Sequence, residues 1–267
     1  SAECCCAGDG SAAQFVRQEA QLPPLFLEEA DVGNVEEAVS QSPKLPAAAD
    51  QLPTRTKEAS EPAEVQLPGG SRYKGQWNGH ERQGKGVLDM LDGSRYEGLF
   101  QNSQAHGLGT LIEPSGSIYN GEWDQGQKHG YGIYVCEAKY TYKGEWERDA
   151  KSGKGEEFWL DGAKYNGEFV QGCKHGDGVY SVDANTQYMG QFRHDKIEGH
   201  GDYCFSDGRF YTGQWQAGHM SGRGKMDFPD GSSYEGGFEG GCEHGEGTFC
   251  WSSGQKYAGQ WWNGKQE

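Results

Sequence analysis

Four histidines in this chain stand where metal ligands could sit. His106, His129, His175 and His244 are separated by multiples of 23 residues, and each directly precedes a Gly-x-Gly motif. Imidazole nitrogens bind zinc or copper, but three or four ligands must converge within a few ångströms. Equivalent positions of adjacent hairpins lie roughly 10 Å apart. The spacing therefore predicts turn or packing roles, and no HExxH occurs. The Gly-x-Gly pairs are not phosphate loops, because no helix N-terminus follows them to hold an anion. No Ser/His/Asp or Cys/His constellation rises above the repeat. The abundant carboxylates follow the repeat as well, so no glycosidase-like pair is marked. The expectation is a chain without catalytic residues, metal or cofactor.

Eight cysteines invite a disulfide reading. Cys204 and Cys250 are in phase two units apart, and Cys173 and Cys242 three units apart. Stacking would separate these pairs by roughly 20 and 30 Å, against a disulfide reach of about 7 Å between Cα atoms. There is no CxxC, so reduced thiols and an intracellular setting are expected. Cys4, Cys5 and Cys6 are adjacent and form a candidate acylation cluster, with an unmodified tail as the alternative.

Behind these positions lies a strict repeat. Tyr-x-Gly-x-Trp/Phe begins at Tyr73, Tyr96, Tyr119, Tyr142, Tyr165, Tyr188, Tyr211, Tyr234 and Tyr257, always 23 residues on. A Gly-x-Gly anchor keeps the same step from Gly84/Gly86 to Gly245/Gly247. Tyr, Gly and the second ring at i, i+2 and i+4 share one face of a strand. Glycines on that face remove the Cβ atoms that would block a flat ring. Asp92-Gly93, Asp161-Gly162, Asp207-Gly208 and Asp230-Gly231 mark the turns between units, whereas Ala138-Lys139 and Ala184-Asn185 predict differently shaped ones. The fold class is all-β: an elongated, twisted, single-layer antiparallel sheet of hairpins.

On the ring face, an inner row includes Leu88, Tyr134, Glu157, Tyr180 and Tyr203. An outer row includes Met90, Trp159, Phe205, Phe228 and Trp251. The candidate binding residues are Trp159, Phe205, Phe228 and Trp251 of the outer row, with Tyr134, Tyr180 and Tyr203 of the inner. The opposite face, including Gln76, Glu122, Glu145, Gln191 and Gln214, reads as solvated.

Residues 1–68 form a different segment, a leader rich in Ala, Pro, Glu and Gln; residues 69–267 are the repeat domain. Through Gly70 the chain has 12 acidic and 4 basic residues, a net −8. Alone, such a composition is expected to lack order. Leu25, Phe26 and Leu27 make a compact apolar docking element, and Val32, Val35 and Val39 fall on one helical stripe.

The unit YxGxW…GxG…DG resembles the MORN repeat (membrane occupation and recognition nexus), over residues 71–267 and not over the leader. The resemblance implies an extended twisted sheet with a concave aromatic groove. It also implies kinship with radial-spoke-head subunits and other scaffold proteins.

The whole chain carries a net charge of −16. That charge disfavours nucleic-acid phosphates and anionic lipid surfaces as partners. No run of about 18 apolar residues is present to span a membrane as a helix. The expected partners are proteins of a larger complex, as a helix or peptide laid along the aromatic face, with a second copy at the sheet ends as a further possibility. The expected function is a non-enzymatic scaffold or structural subunit of a large intracellular assembly, first of a ciliary axoneme or the cytoskeleton. The alternatives are a peripheral accessory subunit of a membrane or organellar complex and an acyl-anchored, membrane-associated protein.

Overall fold

Period-two alternation becomes a long meander of strands. Arg72–Asn78 pairs antiparallel with Glu81–Asp89, which pairs in turn with Arg95–Gln101 of the next unit. The step continues to Lys256–Trp262, giving one open sheet of 19 antiparallel strands in which chain neighbours are sheet neighbours. At about 4.8 Å per strand, such a sheet is roughly 85 Å long. The structure, a computed structural model, describes residues 63–137 and 139–267. Cys4–Cys6, Leu25–Leu27, the valine stripe and Ala138 lie outside the described residues. Among the described residues there is no helix, hence none long and apolar enough to cross a membrane. The sheet begins at Val65–Gln66, four residues ahead of the boundary expected at 69, with Val65 opposite Tyr73.

Two kinds of turn alternate along the sheet's edges. Between units, Met90 N donates to Ser94 O at 2.8 Å and Gly93 N to Met90 O at 3.2 Å, with Gly93 at φ 92°. This is a three-residue loop closed by a left-handed glycine, and Asp92 Oδ1 accepts Ser94 N at 2.9 Å. At Ala184-Asn185 the outer bond from Val182 N to Thr186 O remains, at 2.9 Å, but no residue of the loop is left-handed. Asp183 takes over there, with Oδ1 accepting Asn185 N at 2.8 Å and Thr186 N at 2.7 Å.

Within units the turns have only two residues, and several carry side chains at positive φ. Asn102 and Ser103 lie at 51° and 65°, Arg148 and Asp149 at 50° and 66°, and His194 and Asp195 at 48° and 64°. Both central residues of a type I′ turn need φ > 0, and its twist matches that of the strands it joins. The second turn residue also reaches back one unit: Asp149 N donates to Lys128 O at 3.1 Å and Asp195 N to Lys174 O at 3.0 Å.

The core is a ladder of rings on one face. Tyr73 meets Trp77 and Phe100 edge to face, Tyr96 meets Phe100 and Trp123, and the alternation runs unbroken to Trp261. Such pairs contribute about 0.5–1.5 kcal/mol each beyond their burial. Each tyrosine hydroxyl donates to the carbonyl three residues on, as Tyr119 to Glu122 O at 2.8 Å and Tyr142 to Glu145 O at 2.8 Å. Tryptophan ties units together, with Trp123 Nε1 donating to Gly109 O at 3.1 Å and Trp215 Nε1 to Gly201 O at 3.0 Å.

The two glycines of each Gly-x-Gly have different tasks, where the sequence reading assigned them one. The second faces the ring: a Cβ on Gly155 would come within 2.6 Å of Tyr142 Cε2. The first sits at a register shift and is left-handed, as at Gly84 with φ 73°. There Gln76 Oε1 accepts the following amide, Lys85 N, at 3.0 Å. Glu122 accepts Tyr131 N at 3.1 Å and Gln214 accepts Arg223 N at 2.7 Å in the same way. The row on the opposite face thus caps the bulge in five units, through Gln76, Glu122, Glu145, Gln191 and Gln214, whereas Leu99 and Gly237 in the same row offer no acceptor.

Candidate docking face

The ring ladder floors one face of the sheet, and the two flanking rows form its margin. Tyr180, Tyr203 and Phe205 are buried; Tyr134, Trp159, Phe228 and Trp251 are half-buried and leave ring surface open. The structure gathers these seven residues into separate clusters rather than one continuous stripe. Trp159 packs on Tyr180 with centroids 5.9 Å apart, and Tyr203 on Phe205 at 4.5 Å. Phe228 and Trp251 meet through Phe249, at 5.8 and 5.0 Å. Tyr134 stands apart from the other six, beside Tyr140 at 6.2 Å.

Charge occupies the middle of this face, and it was not singled out from the sequence. Glu157 takes an inner-row position that elsewhere holds Leu, Tyr, Met or Phe, and it is only 4% exposed. Lys151 contacts one carboxylate oxygen, and Lys174 Nζ lies 3.0 Å from the other. Lys174 Nζ is also 3.8 Å from Asp195 Oδ1. One unit back, Lys128 Nζ lies 3.5 Å from Glu113, which accepts the Tyr134 hydroxyl at 3.2 Å. Two signals were available in the sequence: Glu157 interrupts an apolar row, and Lys128, Lys151 and Lys174 recur at the same phase.

The cations also lie against rings. Lys128 Nζ is 4.7 Å from the Tyr134 centroid, Lys151 Nζ 4.3 Å from Tyr140, and Lys174 Nζ 4.9 Å from Trp159. Arg82 takes the same phase in the first unit, 5.4 Å from Phe100. Units six and seven place Ile197 and Met220 there, both buried. This position is thus cationic in units one, three, four and five; it is Ala105 in unit two, apolar in units six and seven, and Glu243 in unit eight. Burial raises the Tyr140 and Tyr203 phenol pKa values on this face to about 12.

The histidines find other company. His106 Nδ1 lies 3.3 Å from Asp124, and His244 Nε2 3.2 Å from Glu239 with its ring 4.6 Å from that of Trp262. His175 packs on His194 at 5.5 Å, and the carbonyl of His129 lies 3.5 Å from the Tyr119 hydroxyl. Among the described residues no three His, Cys, Asp or Glu side chains converge as a metal site. Cys136, Cys173, Cys204, Cys242 and Cys250 are half-buried and form no disulfide among the described residues. The opposite face holds an open trough along the glycine pairs, bordered by Met189, Asp202, Thr212, Lys225 and Glu235.

A family model described as the MORN repeat matches nine consecutive segments, from residues 73–95 through 142–164 to 257–267. No curated protein matches the chain. Similar solved structures include the G-box domain of the microcephaly protein CPAP, 12% identical. That match covers 73% of this chain and 96% of that one, with a TM-score of 0.41. A point mutant of the TCP10 domain of Danio rerio CPAP is also 12% identical, covering 74% and 99%, with a TM-score of 0.42.

Proposed function

We propose, on the premise that this chain belongs to the MORN repeat family, that it is a protein-interaction scaffold whose aromatic face takes a peptide or helix of a partner. The family is one of non-enzymatic repeat scaffolds. One observation carries the choice of face: Tyr134, Trp159, Phe228 and Trp251 remain half-buried, with open ring surface along the margin of the ladder. Among the described residues no second layer covers that surface. Large half-buried rings are the side chains that anchor partners at low entropic cost. The assembly is proposed to be intracellular, with a ciliary axoneme or cytoskeletal complex first. An accessory subunit of an organellar membrane complex is the alternative.

The experiment is cross-linking mass spectrometry on the native complex isolated through this chain. Cross-links from Lys128 or Lys139, beside the aromatic face, to axonemal or cytoskeletal proteins support the reading. A monomer that cross-links to no other protein sinks it, and cross-links to integral membrane subunits move the chain to the membrane complex.

A second reading rests on Cys4, Cys5 and Cys6. Three adjacent thiols would, if acylated, supply the two lipid signals that stable anchoring requires. Membrane association that survives hydroxylamine, or its absence, rejects that reading.

A further inference from the structure

One arginine of this chain already sits on the outer margin of the aromatic face. Arg209 follows the Asp207-Gly208 turn, with its Cζ 4.6 Å from the Phe205 centroid. Its Nε donates to Asp207 Oδ2 at 2.8 Å, while Asp207 Oδ1 accepts the Arg209 amide at 3.1 Å. A turn carboxylate and an outer-row ring thus hold one guanidinium together. The ring takes its flat face and the carboxylate takes its N–H edge.

The same pair recurs in unit seven without an arginine. Phe228 takes the place of Phe205, and Asp230 that of Asp207. Ser232 stands at the position of Arg209 and is 3% exposed. Asp230 Oδ1 accepts the Ser232 amide at 2.9 Å, so the two turns hold their carboxylates alike. Asp230 is exposed, and Phe228 and Trp251, which both pack on Phe249, are half-buried. Trp159 and Asp161 form a like pair in unit four, but Lys174 Nζ already lies 4.9 Å from that ring.

We propose that Phe228, Trp251 and Asp230 form a docking site for an arginine of a basic partner segment. The inference rests on the aromatic face being the docking face, and it names the chemistry of what docks on its margin. Charge along the same edge of the sheet agrees. In the turns between units, Asp92, Glu137, Asp161, Asp183 and Asp230 are exposed, and none of them pairs with a cation among the described residues. Against them stands Lys139, since Arg209 is engaged by Asp207. The unpaired charge on this edge is therefore negative, in a chain of net −16. Such a rim draws a basic segment and repels an acidic one. Arginine fits better than lysine, because a planar guanidinium can lie on a ring and keep its N–H groups on a carboxylate at once.

The test is a fluorescence-anisotropy titration of the full chain against labelled tetra-arginine and tetralysine peptides at physiological salt. Tetra-arginine is expected to bind about fivefold more tightly than tetralysine. Asp230→Asn keeps an acceptor for the turn amide, removes the charge, and should weaken tetra-arginine about fivefold. Asp92→Asn removes the same charge from the same kind of turn, where Met90 stands in place of the ring, and should change little. Ser232→Arg puts the chain's own guanidinium on the site, as in unit six, and should abolish the preference for arginine. Equal losses from Asp230→Asn and Asp92→Asn would reduce the binding to diffuse attraction and overturn the inference. So would a parent chain that does not prefer arginine, or a Ser232→Arg variant that binds like the parent. The probe needs no native partner: if it fails while partner cross-links still map to the face, only the arginine site is rejected and the docking face stands.

Discussion

Lys174 Nζ lies 3.0 Å from Glu157 Oε2, and both side chains are at least nine-tenths buried on a sheet that has only one layer. Water is kept from the pair by rings rather than by a second layer, with Trp159 and Tyr165 against the ammonium group. Lys151 completes a lysine–glutamate–lysine cluster.

Removing the shared carboxylate should cost more than removing the whole cluster. Glu157→Leu leaves two buried ammonium groups without their partner and is expected to destabilise the array by about 3–5 kcal/mol. Combining it with Lys151→Met and Lys174→Met restores an apolar row and is expected to recover most of that loss. Urea unfolding followed by tryptophan fluorescence distinguishes the cases. A triple variant no more stable than Glu157→Leu alone would show that the lysines are not the source of the penalty.

Gly155→Ala tests the contact between ring and glycine. The added methyl meets Tyr142 Cε2 at 2.6 Å and cannot be accommodated without moving the ring out of the ladder. A loss of about 1–3 kcal/mol is expected, as for overpacked cores. Gly172→Ala is the control, since a Cβ there meets nothing within 4 Å and only the backbone term at φ 86° remains. A smaller loss at Gly155 than at Gly172 would refute the packing role.

The two-residue turns offer a gain in stability. Ala217 holds φ 51° in the turn it shares with Gly218, a conformation that costs alanine about 1 kcal/mol and asparagine less. Ala217→Asn creates the preferred Asn-Gly pair and should raise the thermal midpoint by a few degrees. An unchanged or lowered midpoint would count against the I′ assignment.

Alkaline pH should unfold the sheet through its tyrosines. Burial raises the phenols of Tyr140, Tyr203 and Tyr234 from the ordinary 10 to about 12. A folded value above the unfolded one means that the unfolded chain releases its protons first as pH rises. The contribution is complete below about pH 10 and is lost as pH climbs toward about 12 and beyond. Urea midpoints measured from pH 8 to 11.5 should hold level and then fall. Phenolate absorbance at pH 11 should be small in the folded chain and jump on unfolding, and full absorbance without unfolding would contradict the burial.

The sheet, its register and its ring face were legible because one 23-residue period fixes them together. Tyr119, Gly121 and Trp123 can share a face only on a strand, and the period places Tyr142 beside them. The division of labour between Gly84 and Gly86 was not legible, because a left-handed bulge and a missing Cβ both select glycine. The Arg148-Asp149 turn was missed for a related reason: tertiary pairing imposes positive φ on residues that do not advertise it. At the candidate site, the rows were visible but not their grouping. Position along a strand says which face Trp159 occupies; it does not say that Lys174 lies under its ring. Leu25–Leu27 and Cys4–Cys6 of the leader lie outside the described residues.

The strands run across the long axis of the sheet, so their backbone hydrogen bonds point along it. A pull between the two ends therefore loads those bonds one row at a time, as in opening a zipper, instead of shearing many at once. Each hairpin that yields releases 23 residues, or about 75 Å of extended chain. The tryptophan bonds to the preceding unit, such as Trp146 Nε1 to Gly132 O at 3.3 Å, add a further tie at four of the junctions between hairpins. An array of this design behaves under load as an extensible tether that lengthens in equal steps.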